Sequence, residues 1–342
     1  MSTPPYEVLI IGCGNIAGGF DAARSPLLPP LSHAGAYTQH GGFRLRACVE
    51  PDDDRRQAFA LRWGVAAQAA SVPELEVPTG IFDVISICSP TELHNEHLAQ
   101  ALAMRPKVIF CEKPLTSDGA SAANWVNACL SQNVALVVNY SRRWDPVLTD
   151  VISQLQSGLW GTVRSVVGHY NKGILNNGGH MLDLLLQLLG PLALVATVCP
   201  MFDFGESDPT VAALLTAADG TVPIYLNPSY ARDFAFFELE IVCELGVLRM
   251  ESGGMNWQFR NAVPSPQYAG YRTLDTARQT EGRYLESMSR AIGDLHAYLR
   301  DGTPVRSTGK EALRVQDLCT QIQREALMKS PTHNKPRGES NE

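Results

Sequence analysis

The stretch EVLIIGCGNIA, residues 7–17, decides the fold of this chain. Its first half is a short β-branched run, which predicts a buried strand that ends at a glycine. The run that follows is G-x-G-x-x-A: Gly12, Cys13, Gly14, Asn15, Ile16 and Ala17. In this pattern the first glycine permits a tight turn, the second lets the backbone approach a diphosphate, and the small Ala17 lets helix and strand pack closely. On the motif alone, a plain strand–helix turn is the alternative interpretation.

The sequence around this motif alternates apolar strands with helical stretches. Strands are predicted at 7–12, 43–50, 82–90, 107–114 and 134–140, and helices at 53–64, 95–105 and 118–132. Near-continuous apolar strands separated by helices of this length indicate a parallel sheet that is covered on both faces. Residues 1–145 are therefore predicted to form a doubly wound dinucleotide-binding domain, with the glycine motif at its first strand.

The second strand ends at Glu50, where an acid can bind the ribose 2′-hydroxyl of a dinucleotide. A carboxylate there would repel a 2′-phosphate, so the sequence favours NAD over NADP. Arg55 and Arg56 lie nearby and keep NADP possible. The alternative for Glu50 is a solvated strand end.

The segment 18–37, GGFDAARSPLLPPLSHAGAY, interrupts the expected pattern with extra prolines. A fingerprint helix would run on after Ala17, but here it is predicted to stop early, with a new helix near His33–His40. A substrate-side lid and a plain surface excursion are both compatible with this segment.

The second half predicts an α+β domain over residues 146–330. Strands are expected at 161–170, 192–202, 210–218, 221–229, 234–244 and 246–252, and helices at about 179–189, 281–300 and 309–328. Closely spaced strands joined by tight turns imply antiparallel hairpins. The polar tail, residues 331–342, is expected to be mobile.

Composition narrows the class of protein. The chain has 342 residues, 45% of them apolar and 18% charged, which suits about two globular domains. The net charge of −7 argues against nucleic-acid binding. No C-x-x-C pair occurs among the 8 cysteines, which suggests free thiols in a reducing cytoplasm. No signal peptide and no membrane-spanning run of 18 apolar residues is recognised, and His94 and His97 lack the further ligands that zinc would require.

Residues 82–115, FDVISICSPTELHNEHLAQALAMRPKVIFCEKPL, carry a more specific signature. Together with GCGNIA, with VVNYSRRWDP at 137–146 and with the closing stretch at 300–322, this segment resembles the glucose–fructose oxidoreductase/inositol dehydrogenase/rhizopine-catabolism (Gfo/Idh/MocA) family. The resemblance spans nearly the whole chain. It implies a Rossmann domain, a second domain with a large open and mainly antiparallel sheet, a nicotinamide cofactor, and homodimers or homotetramers packed through that sheet.

The resemblance also assigns the chemistry. Hydride transfer from a secondary alcohol requires removal of the hydroxyl proton, which a positioned acid–base group performs. Family likeness points to Lys113, which would hold the reacting oxygen, and to His180, which would exchange the proton. Asp183 lies three residues after His180 on a predicted helix, so the two share a face. Asp183 could fix the imidazole tautomer or bind substrate.

Further site residues are expected from the same likeness. Beside the glycine motif and Glu50, the expected cofactor-binding residues are Ser89, Pro90, Thr91, His94 and Glu112. The expected substrate-binding residues are Arg142, Arg143, Tyr170, Lys172 and Asn176. The two arginines could clamp a phosphate of a nucleotide-sugar, or form a solvated charged pair. Asn176 stands where many members carry aspartate, and this departure leaves the substrate open.

We therefore expect an NAD-dependent oxidoreductase that acts on a hydroxyl-bearing carbon of a sugar or nucleotide-sugar. The version of the His180 motif resembles relatives associated with surface-polysaccharide sugars. An inositol or free-sugar dehydrogenase is the enzymatic alternative. A catalytically inactive dinucleotide-binding sensor is the alternative of another class.

Overall fold

The computed structural model describes residues 4–198, 200–217 and 219–329. Its strands are β1 Tyr6–Ile11, β2 Phe43–Val49, β3 Ala67–Ala69, β4 Val84–Ile87, β5 Val108–Cys111, β6 Ala135–Val138, β7 Val163–Tyr170, β8 Leu192–Thr197, β9 Ala213–Ala217, β10 Pro223–Pro228, β11 Phe237–Cys243, β12 Gly246–Glu251, β13 Asn256–Pro264, β14 Arg272–Leu274 and β15 Arg278–Glu281. Its α-helices are α1 His33–His40, α2 Asp53–Trp63, α3 His94–Ala103, α4 Gly119–Ser131, α5 Pro146–Gln156, α6 Gly179–Leu189, α7 Ser287–Asp301 and α8 Gly309–Met328. A π-helix, Gly173–Gly178, directly precedes α6. The predicted mobile tail and Cys199 lie outside the described residues.

Two compact units divide the chain. Among the described residues, the first unit contains those up to Thr149 and Arg283–Gln316, and the second contains those in Asp150–Gly282 and from Asp317 to Lys329. The predicted boundary at 145/146 lies close to the first of these divisions. Residues 283–316 were predicted to lie in the second domain, but they belong to the first unit.

The sheet of the first unit has six strands in the order β3-β2-β1-β4-β5-β6, and every neighbouring pair is parallel. The strand order reverses between β1 and β4, and the crevice at such a reversal is where open α/β sheets bind ligands. The predicted doubly wound sheet is thereby confirmed. The short strand β3 was not predicted, because its three residues carry no hydrophobic pattern.

Helix α7 belongs to the first unit because its apolar face is part of that unit's core. Its residues Ala291, Ile292 and Leu295 are fully buried in one cluster with Val8 and Phe110. The sequence pattern predicts such an apolar face but cannot say which unit covers it.

The sheet of the second unit has nine strands in the order β14-β13-β12-β11-β7-β10-β9-β8, with β15 also paired to β13. Among the strand pairs of the described residues, only β7 with β10 is parallel in this sheet, and the others are antiparallel. The expected open, mainly antiparallel sheet is confirmed. Strands β14 and β15 were missed because they are short and polar, whereas β13 was missed although Trp257 and Phe259 alternate with polar residues at its start.

Candidate active site

The first element of the site is the glycine turn after β1. Gly12 has a φ of +87°, and a Cβ at this position would lie 2.7 Å from the backbone nitrogen of Ser89. Glycine is therefore required at position 12 on both conformational and steric grounds. At Gly14 the surroundings are open, with no atom within 4 Å of a would-be Cβ. The turn thus leaves space beside its backbone, which fits the close approach of a diphosphate.

The fingerprint helix is interrupted and then resumes in register. Gly18 N–H donates to Gly14 O, after which the chain leaves the helix. It returns at α1, where His33 N–H donates to Ile16 O at 3.0 Å and Ala34 N–H donates to Ala17 O at 2.8 Å. The predicted early stop and the new helix at 33–40 are both confirmed.

The excursion between these points is anchored by Asp21. Its carboxylate accepts from the backbone N–H and the hydroxyl of Ser32, at 2.8 and 2.6 Å. The excursion also contacts the last turn of α2, where Arg62 donates to Ala22 O at 3.1 Å. Arg62 lies at the end of α2 that is far from Glu50. The excursion is therefore a surface segment of the first unit at this contact. A lid function stays a prediction.

Glu50 connects the end of β2 to the glycine turn. It is 4% exposed, and its Oε2 accepts from Cys13 N–H at 2.9 Å. Its Oε1 accepts from Arg55 at 3.2 Å, while Arg56 donates to the Glu50 backbone carbonyl at 2.7 Å. The negative charge therefore stands at the place expected for a ribose-binding acid, with one arginine beside it. Glu50 is not a solvated strand end.

His94 joins two neighbouring strand ends. It begins α3, is fully buried, and its Nε2 lies 3.0 Å from Ser89 O. Its Nδ1 lies 3.0 Å from Pro114 O. These contacts shape the loops after β4 and β5, the loops that also carry Pro90 and Thr91 and the Glu112–Lys113 pair.

A buried polar cluster surrounds Glu112. His33 Nε2 lies 2.9 Å from Glu112 Oε1, and Asn139 donates its amide N–H to the same oxygen at 2.6 Å. Burial raises the pKa of Glu112, but the bonds from His33 and Asn139 and the positive charge of Lys113 outweigh it, so the pKa lies below its ordinary value. Glu112 is thus held as a carboxylate next to Lys113.

Sequence reasoning missed His33 and Asn139 as members of this cluster. A usable signal exists for His33. If 20–32 is treated as an insertion, His33 takes the place of the residue four positions after Ile16 in the fingerprint helix. No local pattern marks Asn139, which reaches Glu112 because β5 and β6 are parallel neighbours.

The strand ends are connected by backbone hydrogen bonds. Cys88 N–H donates to Ile11 O at 2.8 Å, and Glu112 N–H donates to Ile87 O at 2.9 Å. The glycine turn, Ser89 and the Glu112–Lys113 pair therefore lie along one edge of the sheet. With about 4.8 Å between neighbouring strands, β1 and β5 are about 10 Å apart.

The two adjacent arginines are buried rather than solvated. Arg142 and Arg143 are each 8% exposed. Arg143 donates to Glu311 at 2.6 Å and to Arg306 O at 3.0 Å. The Arg142 guanidinium lies 4.7 Å from the centre of the Tyr284 ring. The alternative of a solvated pair is overturned, and Arg143 is engaged within the first unit.

In the second unit, α6 runs from Gly179 to Leu189, as predicted. His180 and Asp183 are therefore three residues apart on one helix, and Asp183 is buried and accepts from Gln187 at 2.9 Å. Asn176 lies in the π-helix that leads into α6. Single turns of π-helix are frequent at functional sites.

Lys172 and Tyr170 precede the π-helix. Lys172 has a φ of 64°, and its ammonium lies 5.9 Å from the centre of the Phe204 ring. Tyr170 is fully buried, and its hydroxyl donates to Val211 O at 2.7 Å and accepts from Val211 N–H at 2.9 Å. These bonds give Tyr170 a packing role, and its contact with substrate stays a prediction.

Two features are absent from the described part of the chain. No helix there is both long and apolar enough to cross a membrane. Across those same residues, no cluster of three or more His, Cys, Asp or Glu side chains could hold a metal ion.

Comparison with known proteins agrees with the fold and the glycine turn. Residues 6–140 match the family model described as an oxidoreductase family with an NAD-binding Rossmann fold. An inositol 2-dehydrogenase of Rhizobium meliloti (strain 1021) is 25% identical over 82% of this chain and 88% of its own length.

Solved structures extend the likeness of fold over nearly the whole chain. A levoglucosan dehydrogenase in complex with NADH superposes with a TM-score of 0.76 at 17% identity, covering 95% of this chain and 98% of that one. A 3-ketoreductase from Actinomadura kijaniata, solved with NADP and TDP-benzene, gives 0.74 at 21% identity, covering 94% and 98%.

The fold and the turn define an NAD-binding Rossmann oxidoreductase. More particularly, the family that residues 6–140 match is the Gfo/Idh/MocA oxidoreductase family.

Proposed function

We propose that this oxidoreductase moves a hydride between NAD and a hydroxyl-bearing carbon of a sugar or nucleotide-sugar, with surface-polysaccharide sugar biosynthesis as its context. The observation that carries the proposal is the single sheet edge that holds the glycine turn, Glu50 and the Glu112–Lys113 pair. The named sequence relative is an inositol 2-dehydrogenase, and the structural neighbours include a levoglucosan dehydrogenase and a 3-ketoreductase.

Bound NAD supplies the hydride acceptor, and the side chains supply the proton chemistry. Lys113 would hold the reacting oxygen and stabilise the negative charge that develops on it. His180 would take or return the hydroxyl proton, since imidazole titrates near neutral pH. Asp183 would orient the imidazole, and Asn176 and Lys172 would contact substrate.

NAD is the proposed cofactor rather than NADP because of Glu50. Its carboxylate already accepts the Cys13 N–H of the glycine turn, so its charge is fixed beside the cofactor site. Arg55 offsets part of that charge but is 54% exposed and therefore screened by solvent.

A free sugar or a cyclitol such as inositol is the second candidate substrate. The contacts of Arg143 favour this second candidate, because its guanidinium already donates to Glu311 and to Arg306 O. A phosphate clamp would have to break a partly buried, charge-assisted bond. A dinucleotide-binding sensor without turnover is the remaining alternative.

We also propose a cytoplasmic location and a homodimer or homotetramer that assembles through the sheet of the second unit. One face of that sheet is polar and partly exposed, and Arg249 pairs with Glu240 on it. Light scattering at several protein concentrations tests the assembly, and a monomer throughout would reject it.

The test of function is a panel of free sugars, inositols and nucleotide-sugars with NAD, followed at 340 nm. Lys113→Ala and His180→Ala should each lower kcat by orders of magnitude and leave NADH affinity unchanged. Lys107→Ala and His40→Ala, at exposed positions, serve as matched controls. Unchanged turnover in either site variant would reject that residue's role. NADH binding without turnover across the whole panel would favour the sensor.

A further inference from the structure

The segment from Asp203 to Thr210 binds the start of the helix that carries the proposed substrate residues. Five consecutive backbone N–H groups donate to this segment. The bonds are Lys172 to Asp203 Oδ2 at 3.2 Å, Gly173 to Thr210 Oγ1 at 2.8 Å, Ile174 to Pro209 O at 2.9 Å, Leu175 to Asp208 Oδ1 at 2.8 Å and Asn176 to Asp208 Oδ2 at 2.9 Å. We call residues 203–210 the clamp segment.

These bonds satisfy backbone N–H groups that a helix leaves without an internal partner at its start. The first N–H groups of a helix have no partner within it, and the helix dipole places partial positive charge there. Two carboxylates of the clamp segment, Asp203 and Asp208, meet both requirements at the start of the π-helix. The π-helix then runs without a break into α6, so the clamp fixes the beginning of the whole element.

The contact is close enough to constrain the sequence. A Cβ at Gly173 would lie 2.0 Å from Asp208 Oδ2, and the φ of Gly173 is +84°. Only glycine lets the carboxylate of Asp208 reach the two N–H groups that follow.

Asp203 connects the clamp to its surroundings. It is 2% exposed, and besides Lys172 N–H it accepts from the hydroxyl of Thr210 at 2.6 Å and from Ala231 N–H at 3.0 Å. The neighbouring Phe204 lies beneath the Lys172 ammonium, 5.9 Å from its ring centre. The same segment therefore places the Lys172 side chain as well as the helix start.

We propose that the clamp segment is the positioning element for Lys172 and Asn176, and that Asp208 is its determining residue. Asp208 is a positioning residue and acts through the backbone of residues 175 and 176. The inference rests on the proposed function in that it takes Lys172 and Asn176 to be substrate residues.

The test compares Asp208→Ala and Asp208→Asn with the matched control Asp275→Ala. Asp275 also accepts a backbone N–H, that of Asn261, at 2.7 Å within the same unit. Hydrogen exchange followed by mass spectrometry on the full chain reports the amides of residues 173–178 without any substrate. Asp208→Ala should speed exchange there by about tenfold or more, Asp208→Asn by less, and Asp275→Ala not at all.

Steady-state kinetics distinguish the positioning of substrate residues by Asp208 from a purely structural role of Asp208. With a sugar that the native protein oxidises, Asp208→Ala should lower kcat and raise the sugar KM by about tenfold, while the NADH Kd and the thermal midpoint stay near the native values. Unchanged exchange at 173–178, or a parallel loss of NADH binding and thermal stability, would overturn the proposal. If the native protein turns over no sugar, the proposed function fails, and the exchange result still decides whether the clamp exists.

Discussion

Glu50→Gln should shift the cofactor preference from NADH towards NADPH. The carboxylate of Glu50 is 4% exposed and bonded to the glycine turn, so its charge is poorly screened. Two unit charges about 5 Å apart at an effective dielectric constant of about 20 interact by about 3 kcal/mol. A 2′-phosphate carries between one and two negative charges, and Arg55, at 3.2 Å from Glu50, offsets part of the repulsion. The binding free energy of NADPH should therefore improve by about 2 kcal/mol in Glu50→Gln, which lowers its Kd about thirtyfold.

The same substitution should weaken NADH binding only modestly. Glutamine keeps one oxygen that can accept the Cys13 N–H, but the bond is no longer charge-assisted. The expected loss is about 1 kcal/mol, or about fivefold in the Kd of NADH.

The assay is titration of protein fluorescence with NADH and NADPH at fixed ionic strength. Glu7→Gln is the matched control, since Glu7 also pairs with an arginine, Arg44, but at the opposite end of β1. Equal NADPH affinity in the native and Glu50→Gln proteins would refute the placement of this charge beside the 2′-position.

Three further outcomes follow from the site. Gly12→Ala should raise the NADH Kd by about a hundredfold with an unchanged circular dichroism spectrum, because the new Cβ would meet Ser89 N at 2.7 Å; native affinity would contradict the turn geometry. Because the pKa of Glu112 lies below its ordinary 4.5, this group should stabilise the fold above about pH 4.5 and lose that contribution as pH falls through the lower folded-state pKa. His33→Ala should lower the unfolding free energy by about 2 kcal/mol at pH 7 and by less at pH 3, as urea titration would show; an equal loss at both pH values would speak against the ionised carboxylate. Tyr170→Phe should cost about 1–3 kcal/mol of stability, since the Val211 N–H it leaves is buried, without changing the sugar KM; a raised KM would restore Tyr170 as a substrate contact.

Local sequence pattern was sufficient for five of the six strands of the first unit's sheet and for α6. The β-branched run before Gly12 and the alternation with helices determine a parallel sheet, because such strands must be buried on both faces. The bounds of α6 follow from its apolar periodicity between two glycines. These features depend on residues that are close together in the chain.

Contacts between distant residues could not be predicted in the same way. His33 reaches Glu112 only because α1 resumes the hydrogen bonds of Ile16 and Ala17 after the excursion. The clamp segment meets the π-helix from a loop whose sequence carries no strong pattern. Strands β14 and β15 are short and polar, so they lack the alternation from which strands are predicted. The alternation of Trp257 and Phe259 with polar residues in β13 was a usable signal that the prediction did not use.

The most direct test of the central claim is isotope transfer. The protein would be incubated with NAD and sugars that carry deuterium on each hydroxyl-bearing carbon, and the NADH formed would be analysed by mass spectrometry. The native protein should form NADH that contains one deuterium, and Lys113→Ala should form orders of magnitude less of it in the same time. NAD that is bound by the native protein but never acquires deuterium from any member of the panel would contradict it.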